Sequence, residues 1–158
     1  MYNACDFIHN AVLEVTQLTL EAIREQLTEL NFNAENIRMI TVEAMDDALL
    51  ESCTTKEDES FYNSYMNVIY QKGERYVLGY RCNEEKIIDQ AIIKIGDKYF
   101  DPTEQSKGDF KPYQFAFLTE FKVFDMMKNA KSNKDFPPDV DFLFTRAKHY
   151  KNIINKVK

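Results

Sequence analysis

The sequence has no tryptophan, two histidines, three cysteines and four glycines in 158 residues. Each shortage excludes something. With so few glycines, no stretch reads as a loop that cradles a phosphate through its backbone. Cys5, Cys53 and Cys82 are odd in number and include no Cys-x-x-Cys pair, which argues against a zinc site and against a disulfide framework. No cluster of His, Cys, Asp and Glu has metal-ligand spacing, so neither a metal nor another cofactor is expected. Long apolar runs are missing too: none approaches the length of a membrane span. The N-terminus lacks the basic-then-apolar layout of a signal peptide. The expectation is a reducing cytoplasm and no membrane partner.

What remains is ordinary for a folded domain. Hydrophobic residues make up 44% and charged residues 29%, with twelve Phe and nine Tyr, enough for a packed core and too many for a disordered chain. One domain of this length needs no staples. The net charge of −6 gives no general attraction to nucleic acid. The acid is unevenly spread. Glu43, Asp46, Asp47, Glu51, Glu57, Asp58 and Glu59 stand against Lys56 alone, while Arg146, Lys148, Lys151, Lys156 and Lys158 crowd the end of the chain. These are either two solvated faces or, for the acidic block, a docking surface for a protein partner with a basic surface.

Periodicity gives the organisation. Ile8, Val12, Val15, Leu18, Ile23, Leu27 and Leu30 fall near one helical face. Residues 37–53 are ambiguous, since IRMITV reads as a strand and TVEAMDDALLES as a helix; helix is favoured. A helix over about 59–71 follows, with Phe61, Tyr65, Val68 and Ile69 on one side and Gly73 placed to end it. The period then changes to two. RYVLGYR sets Tyr76, Leu78 and Tyr80 on one face and Val77 on the other. Further strands lie in 87–103 and in YQFAF at 113–117, with a polar loop over 103–112 between them. Thr119 is positioned to cap a helix through about Lys131, and the stripe from Val140 to Val157 predicts a last helix. The fold class expected is α+β. An N-terminal helical region covers 1–53, a helix with antiparallel strands 54–118, and C-terminal helices 119–158.

The stretch IIDQAIIKIGDKYFDPTEQ, residues 87–105, carries two polar residues where strands are expected, Gln90 and Asp101. A two-residue loop at Gly96 and Asp97, with glycine first, suits a type II′ turn. Ile95 then faces Lys98, Ile93 faces Phe100 and Ile92 faces Asp101. Gln90 shares the face of Ile92 and is the diagonal neighbour of Asp101, within reach of a long side chain. An acid beside a polar partner on the next strand is the layout by which an Asp orients a catalytic base. It is also the layout of a simple satisfied hydrogen bond. An amide at the base position takes up no proton near neutral pH.

The order of SYMNV (64–68), YVLGY (76–80), QAI (90–92) and DPT (101–103) resembles the papain-like and transglutaminase-like cysteine enzymes, in particular their short bacterial and phage members. The resemblance covers about residues 61–103. It implies a papain-like core of helices packed on a small antiparallel sheet. It places Ser64 at the family's nucleophile, Gln90 at its histidine and Asp101 at its orienting acid, with Leu78 and Ile92 replacing a Glu and a Trp. Serine needs a base even more than cysteine does, and Gln90 cannot serve. His9 and His149 lie off the motif. The implied function is that of a catalytically inactive relative that binds another protein, an accessory or inhibitor of the kind that suits a phage. Two alternatives stand beside it. One is a hydrolase or acyl transferase using Ser64 or a cysteine. The other is an acidic mimic of nucleic acid.

Overall fold

A computed structural model describes residues 37–82 and 87–130, with positions 21 and 25 as isolated helical residues. The expected first and last helices, His9, His149 and the basic end of the chain lie outside the described residues. Strand β1 (Arg38–Glu43) leads into a short helix α1 (Asp47–Ser52), then α2 (Ser60–Ile69). Strands β2 (Arg75–Cys82), β3 (Ile87–Ile95) and β4 (Lys98–Phe100) follow, then a single turn of helix α3 (Pro102–Gln105), β5 (Tyr113–Lys122) and α4 (Val123–Ala130).

The strands close into a barrel in the order β1-β4-β3-β2-β5, back to β1. β1 runs parallel to β4 and antiparallel to β5. This overturns the expected α+β, papain-like arrangement of helices packed on a small antiparallel sheet: the described helices are short, and the sheet is closed on itself. Closure turns one face of every strand inward, so the pattern alternates between two cores and not between core and solvent. Ile40, Val42, Val77, Ile92, Tyr99, Phe115 and Phe117 fill the barrel. Ile37, Met45, Val68, Tyr76, Leu78, Ala91, Ile93, Ala116, Leu118, Phe121 and Met126 form a second layer outside it. Tyr76, Leu78 and Val77 divide between these layers as their alternation predicts.

Two further expectations fail locally. The segment Arg38–Glu43 is a strand and not part of a helix; Ile40 pairs with Phe115, and Val42 with Tyr113 and Tyr99, and the helix begins only at Asp47, where the Asp46 carboxylate accepts from Leu49 N at 2.8 Å. Thr119 caps nothing: it is buried inside β5, which runs on to Lys122 before α4 begins. A bulge at Leu78/Gly79 shifts the β2–β5 register, so the inward positions on β5 pass from Phe115 and Phe117 to Glu120 and Lys122.

The hairpin has the expected register, Ile95 opposite Lys98 and Ile93 opposite Phe100. Gly96 has φ +61°, the left-handed value that the first position of such a turn requires. Gly73 has a different role from the helix stop expected. Gln71 takes the positive φ after α2, and Gly73 makes room for Ile93, whose Cβ would lie 3.0 Å from an added methyl. Among the described residues, no helix is long and apolar enough to cross a membrane.

Candidate functional site

The helix α2 buries polar side chains where its apolar stripe predicted only packing. Asn63, Ser64 and Asn67 are all within 1% of full burial, and each is matched to backbone. Asn63 accepts from Lys56 N and donates to Lys56 O and to Thr103 Oγ1 (2.9, 2.7 and 2.9 Å). Asn67 accepts from Thr54 N and donates to Thr54 O (2.6 and 3.1 Å). The two asparagines thus hold the segment 54–56 against the helix as a paired strand would.

Ser64 Oγ donates to the carbonyl of Ala91 at 3.0 Å. The sequence accounts for this contact. Continuing the hairpin register sets Ala91 opposite Pro102, and proline has no N–H to offer. The buried carbonyl is therefore left without its ladder partner, and the serine hydroxyl replaces it. Ser64→Ala should strand that carbonyl and lower the unfolding free energy by about 1–2 kcal/mol. Equilibrium urea unfolding checks this, and an unchanged midpoint would remove the structural role.

Gln90 and Asp101 meet as their register predicts. The Gln90 amide donates to Asp101 Oδ2, and Tyr113 donates its hydroxyl to the same oxygen. The other carboxylate oxygen accepts from Glu104 N at 3.2 Å and caps α3. Gln90 and Tyr113 also approach each other at 3.4 Å. All of this sits in one mouth of the barrel. Arg81 closes it from above, with its guanidinium 4.9 Å from the Tyr113 ring centre and 2.8 Å from Glu104. Phe110 packs edge-on against Tyr113. Lys107 ties Glu104 (3.0 Å) to Asp58 (2.8 Å).

Burial pushes the Asp101 carboxyl up to about 6; the Tyr113 and Glu104 N hydrogen bonds pull against that rise. Burial, reinforced by the neighbouring Asp101 charge, drives the Tyr113 phenol far above its ordinary range. Tyr113 keeps its proton at neutral pH, and the Asp101 carboxylate is engaged by three donors.

The three family-equivalent positions do not converge. Gln90 and Asp101 face into the barrel mouth with Ile92, whereas Ser64 approaches β3 from the outer layer, where Ala91 and Ile93 face α2. The strand itself lies between them. Asn63 and Asn67, which are buried, and Tyr113, which is half-buried, are site residues that the sequence pattern does not single out. Asparagines at positions i and i+4 beside an apolar helical stripe were the available signal. Tyr113 gave none, because its partner comes from strand pairing distant in sequence.

The acidic block lies elsewhere. Asp46, Asp47, Glu51, Glu57, Asp58 and Glu59 are exposed and Glu43 half-buried, along α1, the pinned segment after it and the start of α2. Cys53, between them, is half-buried with Sγ 4.0 Å from Met45 Sδ, and burial raises its thiol. Among the described residues no group of His, Cys, Asp and Glu is arranged to hold a metal ion. Comparison with protein-family models, curated proteins and solved structures returned no match.

Proposed function

We propose that this chain acts by binding another protein through its acidic face and not by turning over a substrate. One observation carries the reading: the side chains at the candidate catalytic positions are buried and committed to partners inside the fold. Ser64 is 1% exposed, Gln90 4% and Asp101 0%. The hydroxyl holds a backbone carbonyl, and the carboxylate is shared by an amide, a phenol and a helix start.

The chemistry offered to solvent is instead carboxylate. Asn63 and Asn67 pin Thr54 and Lys56, in the segment between α1 and α2, to α2, so the acids flanking that segment form a preset pattern. A basic protein surface fits such a pattern, with electrostatics setting the rate and orientation of encounter.

The test is affinity capture with the full chain and with Glu51→Lys, Glu57→Lys and Glu59→Lys combined, all at exposed sites. A stoichiometric partner held by the wild type, lost with the triple reversal and unaffected by Ser64→Ala is the expected result. Turnover of ester or amide substrates that disappears in Ser64→Ala would overturn the proposal.

A further inference from the structure

The opposite mouth of the barrel is basic, in a protein whose net charge is −6. Arg75 on β2 stands directly opposite Lys94 on β3 and Lys122 on β5. Directly opposed residues share a face, here the face of Val77, which lines the barrel. Three cations therefore lie abreast across adjacent strands, with backbones spanning about 10 Å.

Arg38 on β1 completes the group. Its guanidinium donates to Tyr99 Oη at 3.1 Å and lies 4.3 Å from the centre of the Phe117 ring. Lys94 sits 5.6 Å from the Tyr99 ring and 3.5 Å from Glu120. Glu120 pairs with Lys94, and among the described residues no ion pair reaches Arg75 or Lys122.

Like charges set directly opposite on neighbouring strands oppose folding. Lys122 is exposed, so the packed interior does not require its charge. The two central aromatics are buried beneath the cations and offer no open face for stacking a base. The row is short, and the chain's overall charge repels a long polyanion. We infer that this mouth is a binding site for a compact oxyanion of the phosphate type, held by Arg75, Lys94 and Lys122 with Arg38 at its edge. A guanidinium flanked by two ammonium groups matches the several oxygens of one tetrahedral anion.

Inorganic phosphate and pyrophosphate are the probes, titrated into the full chain at constant ionic strength with chloride as the balancing ion. Amide resonances report the result. The proposal expects saturable shifts centred on residues 75, 94, 99 and 122, with affinity falling about tenfold in Arg75→Gln and again in Lys122→Gln. Because Lys122→Gln also relieves repulsion, it should raise the melting temperature of the free protein while weakening the anion. A residue kept for folding would move both the same way. Non-saturating shifts, shifts equally produced by chloride, or affinity unchanged in both variants would overturn the site. So would association of a second copy through this mouth that phosphate fails to displace, which would make it a protein interface.

Discussion

Gly79→Ala should leave the chain unable to close its barrel. A methyl group at residue 79 would lie 2.0 Å from the carbonyl oxygen of Ala116 and 2.6 Å from the Phe115 ring. The first obstacle is backbone, so no side-chain rotation relieves it. Gly79 does not have the positive φ that glycines at turns adopt; what it supplies is space, at the bulge where β2 changes register against β5. The ring it admits belongs to Phe115, fully buried inside the barrel. The expected loss is about 3 kcal/mol or more, at the upper end for an overpacked core. Far-UV circular dichroism through a urea titration measures it. A midpoint within error of the wild type would mean that the close approach of β2 and β5 is not what glycine is needed for.

A second large effect should appear as a pH profile. Asp101 has a folded-state pKa of about 6 against an ordinary value of 3.8. Its protonated form is favoured in the folded state, so its contribution to stability is greatest below pH 4. That contribution is lost as the pH rises through 6, a change on the order of 3 kcal/mol. Asp101→Asn cannot ionise, and its side chain can still accept from Glu104 N. Subtracting its stability profile from that of the wild type should therefore leave a step between about pH 4 and 6, with the wild type falling as pH rises. Asp101→Ala is expected to be less stable than Asp101→Asn at every pH, because it leaves the Gln90 amide, the Tyr113 hydroxyl and the start of α3 without an acceptor. A flat difference profile, or a step of opposite sign, would refute the buried-acid account.

The parts legible in the sequence were those fixed by neighbours along the chain. Gly96-Asp97 between two alternating runs sets the β3–β4 register, and from that register the Gln90–Asp101 contact follows. The faces of β2 were equally plain. The closed barrel was not legible, because it depends on β1 pairing with β4 and β5, and no local period records which distant strand a run like RMITVE joins. The resemblance of SYMNV, YVLGY, QAI and DPT to the cysteine enzymes led to a different architecture for the same reason: those motifs mark local turns and strands that more than one arrangement accommodates.

Other misses have local causes. The helical signal of DDALLES spread backward over 37–43. The bulge interrupted the period of two in β5 and made LTEFK look like the start of a helix. At four residues, α3 is too short to show any period. In the candidate site, Asn63 and Asn67 interrupt no apolar stripe, and their burial follows from the backbone of segment 54–56, which needs partners.

β1 has one further consequence, for the order of assembly during synthesis. β2, β3 and β4 are successive antiparallel neighbours and can associate as soon as they emerge. β1 appears before all of them, yet its neighbours are β4 and β5, and β5 is the last of the described strands to be made. Until then both the first strand and the nascent three-stranded sheet carry open edges, the state most prone to mispair with another chain. Such distant pairing also slows folding. The ribosome must therefore release residues up to about Lys122 before the molecule can protect itself, and truncations ending short of β5 should accumulate as aggregates and not as smaller folded forms.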